Sequence, residues 1–129
     1  MTDSVIVTEH SSGEWVIGQL TLNVEKTLNS LTREMVDIIS DQLAHWAANE
    51  QVVAVLIDGA GEKAFCAGAD LEEMGGNLSG ARGEMKKDPE GAKAELFKNV
   101  FRLNKLFRDL EVCGKPIAAA LNGLALGGG

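Results

Sequence analysis

The chain has 129 residues, 45% hydrophobic and 24% charged, enough for one domain with its own core and too few for two. Its net charge of −7 excludes a general nucleic-acid surface, which takes clustered Lys and Arg, but leaves open one anionic small molecule on a local basic patch. No run nears the roughly 18 apolar residues of a membrane span, and Met-Thr-Asp-Ser-Val-Ile-Val is no signal peptide, so a cytoplasmic protein without a membrane partner is expected.

Ser4–Glu9 and Trp15–Leu22 carry β-favouring residues in partial alternation, and the Ser-Ser-Gly between them predicts a hairpin. Residues 23–31 are polar and irregular, hence a loop. Thr32 is placed to cap a helix running to about Asn49. Met35, Ile38, Ile39, Leu43 and Trp46 recur at three- and four-residue intervals as its core stripe, with Glu34, Asp37 and Asp41 on the wet side. Val52–Ile57 is short and continuously apolar, the pattern of a strand buried on both faces and paired in parallel. Residues 59–66 read as loop, 70–74 as one helical turn, and 75–88 as a glycine-rich segment with scattered charges. Pro89 opens a long helix to about Leu110, its stripe made of Leu96, Val100, Leu103, Leu106, Phe107 and Leu110. Pro116–Leu121 is a second buried strand, closed by the turn pair Asn122-Gly123. The order β-β-α-β-α-β is an α/β pattern in which helices join parallel strands.

Cys66 and Cys113 lie far apart without CxxC or Cys–His spacing, so no metal is expected. Both read as small buried hydrophobes in a reducing compartment. His10 and His45 are isolated. Gly59-Ala-Gly-Glu-Lys-Ala64 matches the loose dinucleotide pattern GxGxxA after a strand. No helical stripe follows it, however, and no acidic residue about twenty positions on ends a second strand. A nucleotide cofactor is therefore not expected, and the lack of Gly-Lys-Ser/Thr after any glycine cluster excludes a P-loop.

Two loops remain. In Ala64-Phe-Cys-Ala-Gly-Ala-Asp-Leu71, Gly68 permits a backbone geometry closed to other residues. If Asp70 starts a helical turn, the amides around Ala69 point outward with partial positive charge. By the residues alone, Asp70 as a cap and Gly68 as a plain turn are the simpler account. Gly127-Gly-Gly129 follows the second strand, and its amides can hold an anion. A flexible tail explains those glycines equally well. Should the two loops meet, two fixed N–H groups on one carbonyl oxygen would form an oxyanion hole.

Taken together, Ala64-Phe-Cys-Ala-Gly-Ala-Asp-Leu-Glu-Glu-Met74 and Lys115-Pro-Ile-Ala-Ala-Ala-Leu-Asn-Gly-Leu-Ala-Leu-Gly-Gly-Gly129 resemble the crotonase superfamily, the enoyl-CoA hydratases and isomerases. The resemblance spans nearly the whole chain, and members are considerably longer. It implies a crotonase-like ββα spiral core, incomplete at the C-terminus, with residues 1–129 as the N-terminal part of an acyl-CoA-binding domain. It assigns the oxyanion hole to the N–H groups of Ala69 and Gly128, which would grip a thioester carbonyl as an enolate forms. It places Ala67 and Gly68 against the CoA adenine, lines the same side with Asp70, Leu71 and Glu72, and sets Lys26 near a CoA phosphate. Coenzyme A is then part of the substrate and no separate cofactor is implied.

The family's two catalytic glutamates fall beyond Gly129, so Glu72, Glu73 and Glu84 are not drafted in their place and these 129 residues are expected not to turn over substrate. The activity implied is enoyl-CoA hydratase in fatty-acid or related acyl-CoA breakdown, by a homotrimer or dimer of trimers when full length. Leu22-Asn-Val-Glu-Lys-Thr-Leu-Asn-Ser-Leu31 resembles instead the branch acting on 3-hydroxyisobutyryl-CoA. A non-catalytic acyl-CoA-binding fragment is the third reading, and an aggregation-prone open sheet edge is expected in each case.

Overall fold

In a computed structural model, the described residues are 3–70 and 89–129. Strands β1 (Val5–Ser12) and β2 (Trp15–Leu22) form an antiparallel hairpin in the register Val5↔Leu22 to Ser12↔Trp15. The turn between them needs a left-handed residue, and Gly13 supplies it at φ 61°. The strand therefore runs on through the serines expected in the turn. A 3-10 turn at Glu25–Thr27 follows.

Helix α1 (Arg33–Ala47) begins where Thr32 Oγ1 accepts from the Met35 N–H at 3.2 Å. That bond satisfies one of the first-turn donors that a helix leaves unpaired. Its buried face is Met35, Val36, Ile39, Leu43 and Trp46, the expected stripe with Val36 added and Ile38 half-buried at its margin. Trp46 is wholly buried and donates from Nε1 to Glu9 Oε1 at 2.9 Å. The indole lies on Gly18 of β2, where an added Cβ would stand 2.7 Å from its ring atoms.

Helix α1 carries the chain over to β3 (Val52–Gly59), parallel to β2. A short β4 (Ala64–Cys66) lies within the stretch expected to be loop. Helix α2 (Pro89–Val112) leads to β5 (Ile117–Ala120), parallel to β3, and β6 (Leu124–Ala125) pairs in parallel with β4. The result is a four-stranded sheet ordered β1-β2-β3-β5 beside a two-stranded sheet β4-β6. The core lies between the main sheet and the helices, built on Leu20, Leu22, Met35, Leu43, Trp46, Val52, Val55 and Leu106.

Three expectations are corrected. The second strand is not buried: among the described residues β5 is the sheet edge, its inner face borders an open cleft, and its alanines are exposed. Strand β3 is buried on one face only, with Val52 and Val55 inside and Val53 exposed. On α2 the inward row is Asn99, Leu103, Leu106 and Leu110, spaced four, three and four. That row turns Val100 outward at 44% exposure. Leu96 and the helical turn expected at 70–74 fall outside the described side chains and residues, apart from Asp70.

Candidate functional site

The first bend, Cys66–Asp70, is bound edge-on by residues 28–31. Ala67 N–H donates to the Leu28 carbonyl at 3.0 Å. Leu31 N–H donates to the Gly68 carbonyl at 2.7 Å, and Asp70 N–H donates back to the Leu31 carbonyl at 2.9 Å. This is a parallel bridge between Leu31 and Ala69. In such a bridge the neighbours of Ala69 carry the bonds, so the N–H of Ala69 itself faces the opposite edge. Gly68 has φ 98°, which a side chain would resist. Ser30 Oγ donates to Asp70 Oδ2 at 3.1 Å and closes the far side of the bend.

The second bend, Gly127–Gly129, sits against that opposite edge. Leu126 N–H donates to the Cys66 carbonyl at 3.1 Å, and Gly129 N–H turns back to the Leu126 carbonyl at 2.8 Å. A Cβ built on Gly68 would stand 2.8 Å from the Leu126 oxygen and 3.4 Å from the Gly128 nitrogen. One on Gly129 would overlap the Cys66 carbonyl, and one on Gly128 would come within 2.6 Å of Phe107 Cζ. The glycines are thus required by close approach of backbone to backbone and to a ring. Among the described residues, neither the Ala69 nor the Gly128 N–H donates to a protein acceptor. Two sequence-distant bends therefore lie together, each with an amide left over.

Beside Gly128 and Gly129 opens a cleft of about 230 Å³, walled by Leu31, Ile57, Phe65, Leu106, Phe107 and Ile117 among others. Among the described residues its lining holds no carboxylate or imidazole side chain, and Cys66 is the one titratable side chain there. Burial pushes that thiol above its ordinary range, and the Gly68 N–H, 3.4 Å from Sγ, partly offsets the rise. It is a neutral wall rather than a nucleophile. Among the described residues no cluster of His, Cys, Asp or Glu is arranged for a metal ion.

A second cleft, of about 490 Å³, borders the β3–β4 loop and is lined by Glu25, Lys26, Leu28, Asn29 and residues 60–64. Lys26 therefore stands near that loop, exposed in the 3-10 turn. Ala67, Gly68, Ala69 and Asp70 are brought together with Gly128; Leu71 and Glu72 lie outside the described residues, as do Glu73 and Glu84.

Sequence reasoning missed two carboxamides that build the site. Asn29 is 1% exposed, with φ 56°. Its Oδ1 accepts from the Val24 N–H at 2.8 Å, and its Nδ2 donates to the carbonyls of Ala60 at 3.0 Å and Ala64 at 3.2 Å. Asn122 Nδ2 donates to the Gly61 carbonyl at 2.6 Å and the Ala64 carbonyl at 3.3 Å. An asparagine in a polar loop carries no mark of burial; its tolerance of left-handed backbone was the available signal.

The model of the enoyl-CoA hydratase/isomerase family matches residues 17–129. The chain belongs to this family. It is 36% identical to the mitochondrial 3-hydroxyisobutyryl-CoA hydrolase of Rattus norvegicus over 112 residues, covering 87% of this chain and 26% of that protein. It is equally 36% identical to the short-chain-enoyl-CoA hydratase of Clostridium acetobutylicum over 116 residues, covering 90% and 39%. Among solved structures, a carnitinyl-CoA dehydratase from Mycobacterium thermoresistibile superposes with a TM-score of 0.75 at 32% identity, covering 98% of this chain and 33% of that one. The crotonase-like α/β core is thus the fold of this chain, which spans about a quarter to two fifths of the curated relatives it matches.

Proposed function

We propose that this crotonase segment supplies the oxyanion-binding part of a hydratase/isomerase-type enzyme acting on acyl-CoA thioesters, with the Ala69 and Gly128 N–H groups as the donor pair. The observation that carries this reading is the seating of one bend on the other, each with an amide that meets no described protein acceptor. A thioester oxygen receiving both donors would be polarised, and the enolate formed beside it would be held as its charge develops. Loss of one such donor costs about 3–4 kcal/mol of transition-state stabilisation. Coenzyme A enters as part of the substrate, with Ala67, Gly68 and Asp70 bordering it and Lys26 available to a phosphate. Acyl-CoA breakdown in the cytoplasm, by a trimeric enzyme, belongs to the same proposal.

Hydration of a short enoyl-CoA is the first reading. Hydrolysis of 3-hydroxyisobutyryl-CoA is the second, favoured by the 22–31 segment and by the identity to the rat protein. Both use the same grip on the carbonyl and both need an acid or base beside it. Among the described residues the apolar cleft offers no such side chain, and this chain is expected to bind without turning over.

Acetoacetyl-CoA tests the grip, because its enolate has its own near-ultraviolet band and is favoured wherever donors hold the oxygen. The chain is expected to raise that band above that of free ligand at the same pH. Gly128→Pro, which removes one N–H, is expected to abolish the gain, while crotonyl-CoA absorbance stays constant with either protein. No gain with the unaltered chain, or an equal gain with the proline variant, overturns the reading. Steady crotonyl-CoA loss overturns the expected inactivity.

A further inference from the structure

Strand β4 and the bend after it are held through carbonyls of the β3–β4 loop rather than by a long ladder. Asn122 and Asn29 both donate to the carbonyl of Ala64, the first residue of β4, at 3.3 and 3.2 Å. Asn122 also reaches the Gly61 carbonyl at 2.6 Å. It lies between β5 and β6, just before the strand that ends in the second glycine bend. Leu124 N–H donates to the Lys63 carbonyl at 3.2 Å, and Gly123 packs so tightly on that carbonyl that no Cβ would fit. The β4–β6 pairing that follows covers only Ala64↔Leu124 and Cys66↔Ala125, with a register shift between them. So short a ladder sets its own register weakly.

Resting on the reading of Ala69 and Gly128 as a donor pair, we propose that Asn122 is a positioning residue for that pair. Its carboxamide locks β6 to the β3–β4 loop, and so sets how the Gly128 amide stands relative to the Ala69 amide. It does not touch the substrate oxygen. Its exposed setting makes substitution compatible with folding, in contrast to the buried Asn29. Donor pairs depend steeply on placement, since a shift of about 1 Å can cost on the order of a hundredfold.

The test measures two quantities on bound acetoacetyl-CoA: the dissociation constant and the intensity of the enolate band. Asn122→Ala and Asn122→Asp are compared with Thr21→Val, which removes a 2.6 Å hydrogen bond to Asp58 on the far face of the sheet. Both Asn122 variants are expected to hold affinity within about twofold while the band falls roughly tenfold. That is a rise of about one pH unit in its midpoint. Thr21→Val is expected to change neither. Should the alanine variant not fold, the aspartate variant, which keeps the shape and loses the donors, carries the same comparison.

The amide resonances of Ala69 and Gly128 give a ligand-free readout and are expected to move in the Asn122 variants but not in Thr21→Val. An unchanged band, or a band that falls only in step with affinity, overturns the proposal. If the unaltered chain shows no band, the donor-pair reading itself fails. Unmoved amide resonances then overturn the role of Asn122 separately.

Discussion

Glycine at 18, 68, 128 and 129 answers to a different neighbour each time: an indole, a carbonyl and amide, a phenyl ring, and a carbonyl. Gly18 gives the sharpest single-residue test because it is remote from the candidate site. Its ordinary backbone adds no conformational strain, so Gly18→Ala isolates the clash with Trp46, 2.7 Å from the added carbon. Overpacking of this kind costs about 1–3 kcal/mol. A denaturant midpoint lowered with an unchanged slope is expected, accompanied by altered tryptophan fluorescence. An unaltered midpoint would show that α1 shifts freely on the sheet. The turn glycines were legible as turns from sequence, but the demand for glycine at 18 and 128 was not, since only the fold names the ring that fills the space.

At the level of elements, Lys115 joins three that are separate in sequence. Its ammonium donates to the carbonyls of Trp46 at 2.6 Å and Val52 at 2.6 Å, and to that of Asn49 between them. These are the end of α1 and the entry to β3, where a helix leaves carbonyls without partners and collects negative charge. The clamp thus ties the start of β5 to the α1–β3 turn. Lys115→Met keeps most of the stem and removes three charged hydrogen bonds, each worth about 1.5–3 kcal/mol in general. Because the Trp46 and Asn49 carbonyls keep backbone donors in the Asn49 and Val52 N–H groups, a total near the value of one bond, about 2–3 kcal/mol, is expected in equilibrium unfolding. Hydrogen exchange at the C-terminal turn of α1 is expected to accelerate with it. Exchange as slow as in the unaltered chain would refute the clamp. From sequence, Lys115 was only the first residue of a family-like stretch, because its partners lie 63–69 positions away.

For the whole molecule, uncovered apolar surface governs how the chain behaves in solution. Phe97 is 70% exposed, stacked on Phe101 at 6.4 Å between ring centroids, and Leu121, Leu124 and Leu126 are all more than half exposed. Among the described residues β5 is also an open strand edge. Exposed edges and apolar patches associate, so sedimentation is expected to show concentration-dependent self-association that weakens when Phe97 and Phe101 are replaced by serine. A single monomeric species across the micromolar range would count against this.

The α/β order, the Thr32 cap, the α1 stripe and the parallel crossovers were open to reading from sequence, because each depends on residues within a few positions of one another. The two glycine bends were also visible one by one. Only tertiary structure decided that they meet, that Asn29 is buried, that β4 and β6 pair, and that α2 turns Asn99 rather than Val100 inward. Each of those outcomes is a contact between segments far apart along the chain. Local propensity and period carry no information about which distant backbone will arrive to complete a hydrogen bond or fill a gap.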